Sequence, residues 1–296
     1  MSTVDPSRRL AAAVEPFAAG VYFAPECHEA YAALGFGGSP GKMGDVEMPD
    51  GPAYFCSRGS VMGQVTGEVV AAAFGVFNPV VVGPAVTHGW TITDAATIEA
   101  ARTEGAVGQL RRILGPSPEG LDRGLALLHQ AADGLRPEGK PLFAGLVAQG
   151  LPGEPLADAW RLADRLREYR GDVHINAWTG AGLDATEISL LTELYWGLPL
   201  RTYSRSRAWT DADFDAATER LEQRGLVADG AFTPEGRAAR EAIEVATDQS
   251  VQPIVDALGD NLDDLVGILA TWSNVIRDAG GYPPAGPQDL AGMAGG

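Results

Sequence analysis

Residues 225–241 read GLVADGAFTPEGRAARE. The run divides into a short strand, an Asp229-Gly230 turn, a second strand ending at Thr233 and a helix starting at Pro234. Asp-Gly favours a tight hairpin turn. Proline suits the first position of a helix, where no N–H bond is lost. Upstream, Thr210 caps a helix over 211–225, and Gly197-Leu198-Pro199 forms a turn. Residues 200–207 are expected to form a short second helix, and residues 185–196 a first one. Three helices followed by a hairpin predict a winged-helix unit, a fold that does not fix function by itself.

Further out, the chain reads as helix after helix. Residues 6–34 form one helix broken near Pro25, and residues 155–180 the longest, with Trp160, Ala163, Leu166, Tyr169, Val173 and Ala177 along one face. Asp94 is placed to cap a helix over 95–114, and residues 118–135 form another. Tyr54-Phe55-Cys56 is expected to be a short strand, and residues 60–77 an apolar helix. Residues 238–258 and 262–279 are helical. The fold class expected is mainly α with small β-wings: two winged-helix-like modules joined by long helices. The divisions are 1–115 (a degenerate winged-helix-like domain), 116–182 (connecting helices), 183–279 (the winged-helix domain) and 280–296 (a flexible tail).

The 296 residues carry a formal net charge of −17, which serves solubility and opposes contact with a polyanion. The third helix of the unit, the one that enters the major groove in DNA-reading relatives, carries Asp211, Asp213, Asp215, Glu219 and Glu222 against Arg220 and Arg224. Arg201, Arg205 and Arg207 form the one small basic cluster nearby. DNA is therefore not the expected partner. From Val69 to Thr93 there is no charged residue, but Asn78-Pro79, Gly83-Pro84 and His88-Gly89 interrupt the stretch. A buried helix followed by a buried turn, not a membrane span, is expected there. Cys27 and Cys56 form no CxxC pair, and no secretory signal is visible, which suits reduced thiols in a cytoplasmic protein.

Four segments carry unusual residue combinations: GVYFAPECHEAYAALGF (20–36), FNPVVV (77–82), LREYRGDVHINAW (166–178) and SRSRAWTDADFDAATERLEQRGLVADGAFTPEGRAARE (204–241). In these the chain resembles an actinobacterial family of winged-helix proteins of about this length. The matching positions are Tyr22, Pro25, Glu26, Asn78, Pro79, Arg170, Asp172, His174, Ser206, Arg207 and Trp209. The resemblance implies tandem winged-helix-like modules, the first degenerate, docked by long helices. It implies no reaction.

No HExxH, GxSxG or Walker loop is present, and the four histidines have no metal-ligand spacing. Neither cofactor nor metal is expected. His174, at the margin of the apolar stripe, is either a neutral core residue or a pocket base. Arg170 and Asp172 lie nearby in sequence. Asp172 does not share its helix face and is expected to orient an arginine. Tyr22 and Glu26 are tentative partners in chemistry. His28, Asn78, Arg170, Trp178, Arg207 and Trp209 are the candidate ligand contacts. Aromatic residues crowd between 160 and 209, as core or as the wall of a pocket between domains. The expected function is binding of a small molecule in that pocket, as a cofactor-independent enzyme or a sequestering protein of specialised metabolism. A DNA-binding regulator using helix two and the wing, and an interaction scaffold, are the alternatives. A homodimer is left open.

Overall fold

The computed structural model describes residues 4–43 and 46–283; most of the expected flexible tail, from 284 on, lies outside the described residues. Thirteen α-helices occur among the described residues: α1 (Pro6–Ala19), α2 (Pro25–Leu34), α3 (Gly51–Gly59), α4 (Gly67–Phe74), α5 (Pro79–Ile92), α6 (Ala95–Leu114), α7 (Leu121–Ala132), α8 (Pro141–Ala148), α9 (Pro155–Gly180), α10 (Ala185–Tyr195), α11 (Asp211–Gln223), α12 (Pro234–Leu258) and α13 (Leu262–Asp278). Two antiparallel hairpins complete the fold: β1 (Lys42–Met43) with β2 (Val46–Glu47), and β3 (Val227–Ala228) with β4 (Ala231–Phe232). The chain is mainly helical, as expected.

Most helix starts are written locally. Side chains of Asp5, Asp50, Asn78, Asp94, Glu154 and Thr233 each accept a bond from a first-turn N–H, satisfying donors that have no partner inside the helix. Asp184 with Glu187, and Thr210 with Asp213, form reciprocal capping boxes at α10 and α11. At the second hairpin, Asp229 and Gly230 both have positive φ, 50° and 73°, the conformation a two-residue turn of this hand requires. The start of α12 lies so close to this hairpin that a Cβ on Gly236 would sit 1.8 Å from the Leu226 carbonyl oxygen.

Several expectations are corrected. Tyr54, Phe55 and Cys56 are helical, within α3. The Asp50 cap and Pro52 set the helix, and its turn stacks Tyr54 and Phe55 against Phe74 and Phe77. The helix expected over 60–77 breaks at Gly63, where φ is 82°, and resumes as α4. The buried turn expected after Asn78 is instead α5, which contains Pro84. The carbonyl that Pro84 leaves unbonded one turn back belongs to Val80, which is 77% exposed, so water satisfies it. Helix α8 has no counterpart in the sequence reading. Its cap comes from a distant residue, Asp172 of α9, whose Oδ2 accepts from Phe143 N–H at 3.0 Å. That also replaces the expected role of Asp172 beside an arginine.

The second helix expected over 200–207 is reduced to one 3₁₀ turn, Ser204–Arg207. Glu193, fully buried on α10, is the physical reason. Its two carboxylate oxygens accept from the backbone N–H groups of Arg201, at 2.6 Å, and Ser204, at 2.7 Å. Arg201 and Ala208 take left-handed φ values of 62° and 63°, costly for non-glycine residues.

Two apolar clusters organise the interior. The larger draws on α1 to α9, the far half of α12 (Val251, Ile254, Leu258) and α13. The smaller holds Trp178, Leu183, Ile188, Leu191, Phe214, Leu221, Val227 and Ile243. Helices α9 and α12 run through both, and α1 packs on α9, α12 and α13. Among the described residues no helix is long and apolar enough to cross a membrane.

Candidate functional site

Where α1, α9 and α12 meet, two adjoining cavities of about 150 and 180 Å3 open to solvent. Both are bordered by Ala11, Arg170 and His174. The larger also takes in Val76, Ile188, Trp196, Tyr203 and Arg207. Together they form a cleft between the two apolar clusters, with His174 at the divide.

His174 Nδ1 lies 3.0 Å from Thr247 Oγ1. The Thr247 hydroxyl donates its proton to Ile243 O at 2.8 Å, so it can only accept from the imidazole. The proton therefore sits on Nδ1, and Nε2 carries a lone pair with no partner among the described residues. This assignment follows from hydrogen-bond bookkeeping. Burial pushes His174 down to about 3; Glu244 opposes, while Arg240 and Arg170 reinforce the shift. The ring is neutral at physiological pH, and Nε2 is a hydrogen-bond acceptor.

An arginine-carboxylate lattice surrounds it. On α12, Glu244 accepts from Arg240 at 2.7 Å and from Arg170 at 3.1 Å. Burial would raise its pKa, but Arg240, His174 and Arg170 together hold it at about 2. Arg8 of α1 pairs with Asp248 at 2.7 Å and Glu241 at 2.9 Å. In the smaller cavity Glu168 is gripped by Arg58, at 2.7 and 2.9 Å, and by Arg167, at 2.8 Å. Burial again acts upward on Glu168, and Arg58 and Arg167 bring it down to about 2. None of Arg58, Thr247, Arg240, Glu244 or Glu168 was a sequence-level candidate. Only the Arg240–Glu244 pair, four apart on one helix, had a local signal.

The candidates divide. His174, Arg170 and Arg207 line the cleft. Tyr22 does not; its hydroxyl contacts Glu168 at 3.3 Å and Arg102 at 3.4 Å inside the protein, and burial, then Glu168, raises its pKa. Glu26 forms a partly exposed ion pair with Arg112 at 2.6 Å, and His28 bonds the Tyr22 carbonyl at 3.1 Å through Nε2. Asn78 caps α5 and donates to Ala208 O at 3.0 Å, while its N–H donates to Arg207 O. Trp209 donates to Val76 O at 2.8 Å. These bonds hold the 76–78 and 207–209 segments together at the cleft's edge. Trp178 is buried core, its indole N–H without a partner among the described residues. Cys27 and Cys56 are buried, and desolvation pushes both thiols up to about 12, so neither is a nucleophile at neutral pH. Among the described residues no group of three or more His, Cys, Asp or Glu side chains could hold a metal ion.

Two of the three arginines in the basic cluster ahead of α11 are neutralised within the unit. Arg201 pairs with Asp215 at 2.7 Å and Arg205 with Asp211 at 2.6 Å. On α11 itself, Arg220 meets Asp184 and Glu187, and Arg224 meets Glu187. These four cations are each matched by a carboxylate of the same unit, whereas Arg207 has no carboxylate partner among the described residues.

Short capped helices ahead of a small hairpin, within a mainly helical chain, are the parts of a helix-turn-helix protein. The chain belongs to a helix-turn-helix family, whose model matches residues 7–283. No curated protein and no solved structure matches it.

Proposed function

We propose that this protein binds a small molecule in the cleft between an N-terminal helical module and a C-terminal winged-helix module. The observation that carries the reading is His174: a neutral imidazole, its proton committed to Thr247, with an unpartnered acceptor nitrogen at the junction of two cavities. His174 is partly exposed at the cleft, so its open acceptor can be reached by the donor of a ligand. The mixed apolar and arginine lining suits the same use, since ligand sites combine apolar walls with a few placed polar groups.

Family membership gives weak support to a second reading, a regulator that meets DNA through the 200–207 segment and the second hairpin. Against it stand the paired state of Arg201, Arg205, Arg220 and Arg224 and the loss of a regular second helix. Native mass spectrometry of freshly purified protein tests the primary reading. A non-covalent mass that disappears in His174→Ala supports it; a clean mass, together with salt-sensitive binding to duplex DNA, transfers support to the regulator.

A further inference from the structure

Four arginines border the larger cavity: Arg8, Arg170, Arg207 and Arg240. Three are neutralised by carboxylates of α12: Arg8 by Glu241 and Asp248, Arg170 and Arg240 by Glu244. Arg207 has no carboxylate partner among the described residues. Its guanidinium lies over the rings of Phe77, at 4.6 Å, and Tyr203, at 4.8 Å. It donates to the Tyr203 hydroxyl at 2.5 Å. Ring stacking holds the planar group in place, leaving further N–H donors for an anion. A carboxylate matches that fork geometry.

The remaining chemistry narrows the ligand. Val76, Ile188, Trp196 and Tyr203 supply an apolar and aromatic wall. The cavity volume is about 180 Å3, and an apolar cavity of about 150 Å3 accommodates one benzene ring. His174, which lines the same cavity, accepts one proton donor at Nε2. Against the four arginines stand three carboxylates of α12, Glu241, Glu244 and Asp248, which leaves one positive charge unmatched. A ligand that satisfies all four features is a monoanion with one aromatic ring and one hydroxyl.

We infer that the cleft takes a small hydroxylated aromatic carboxylate, its carboxylate on Arg207 and its hydroxyl donating to His174. The inference rests on the cleft being a ligand site. A phosphate monoester, whose second charge would have no unmatched cation, is disfavoured by the same layout.

The test is isothermal titration calorimetry at pH 7.5 with the 2-, 3- and 4-hydroxybenzoates, the three corresponding amides, and benzoate. At least one hydroxybenzoate should bind ten-fold or more tightly than its own amide and several-fold more tightly than benzoate. Arg207→Gln should bring that acid down to the level of its amide without changing the amide's affinity, and Arg207→Lys should restore part of the difference. Thermal melts of each variant separate lost binding from lost folding. Equal binding of acid and amide, or no binding of any acid by folded protein, overturns the inference. In those cases a co-purifying mass that still depends on His174 leaves the ligand-cleft reading standing. A clean native mass alongside silent titrations removes both.

Discussion

His174 Nδ1 lies 3.0 Å from Thr247 Oγ1, and that hydroxyl is already spent as a donor on Ile243 O. One bond between α9 and α12 thus decides which imidazole nitrogen faces the cleft. Replacing Thr247 with Val removes the acceptor and frees the tautomer, while Thr247→Ser keeps it. Nitrogen-detected NMR of the imidazole should show the Nδ1–H tautomer in the parent and in Thr247→Ser, and mixed tautomers in Thr247→Val. The valine variant should also lose about 1–3 kcal/mol, the usual cost of an unpartnered buried donor. A parent protein with its proton on Nε2 would contradict the assignment.

Because burial holds His174 near 3, against 6.5 in an ordinary environment, its ring should not titrate between pH 5 and 8. Glu244, Arg240 and Arg170 are the charged groups that bear on it. The unfolded chain binds the extra proton first, so this residue's effect is a loss of stability as pH falls below about 6.5, continuing toward 3. An NMR titration of the His174 ring protons is the check; a midpoint near 6.5 would show a solvated histidine.

Asp172 behaves in the opposite sense. Its Oδ2 accepts from Phe143 N–H, but Oδ1 is buried without a partner. Desolvation pushes the carboxyl up to about 7, despite that N–H. The folded state therefore holds a proton that the unfolded chain releases near pH 4. The resulting stability is present below that pH and is lost as pH rises through about 7. Asp172→Asn should flatten this fall. Unfolding free energies from urea at pH 4 and pH 8 should differ less in the variant, by an amount on the order of 4 kcal/mol at about 1.4 kcal/mol per pH unit.

Glu168 anchors Arg58 and Arg167 in the interior. Glu168→Gln takes the carboxylate from the partly exposed Arg58, while Arg167 keeps Glu15, and should cost roughly 1–3 kcal/mol in chemical denaturation at pH 7. In the parent, the contribution of Glu168 is full above about 4.5 and fades as pH falls toward 2. A variant as stable as the parent would mean that water, not protein, solvates this network.

The pairs Arg201–Asp215 and Arg205–Asp211 lie at the surface, where ion pairs contribute about 0–1 kcal/mol. Arg201→Ala and Arg205→Ala should each leave the melting temperature nearly unchanged. Fluorescence anisotropy with a random duplex at about 150 mM salt should show no binding by the parent, since Arg201, Arg205, Arg220 and Arg224 are already matched. Binding that both variants weaken would favour the regulator.

What the sequence made legible follows from what is local. Asp94, Asp184, Thr210 and Pro234 mark helix starts because the cap and the first turn are neighbours in the chain, and Asp229-Gly230 marks its hairpin for the same reason. Glu193 could not be read this way. Its carboxylate captures two amides eight and eleven residues away and dismantles a helix that local preference would build. Asp172 capping α8 from 29 residues away is the same kind of event. At the site, His174 stood out as a histidine beside an apolar stripe, and Arg170 and Arg207 were named with it. Thr247 and Glu244 were invisible, because only the packing of α12 on α9 brings them to the imidazole. Tyr22 and Asn78 were singled out as contacts but serve the frame: one bonds the buried network, the other caps α5.

The central claim is that His174 presents an open acceptor to a ligand. Its most direct test is native mass spectrometry of freshly purified parent and His174→Ala proteins, each compared with its denatured mass. The expected result is a non-covalent adduct on the parent that is absent from a folded His174→Ala. An adduct retained in full by the variant, or a parent protein free of any adduct that also binds none of the aromatic acids, would contradict the claim.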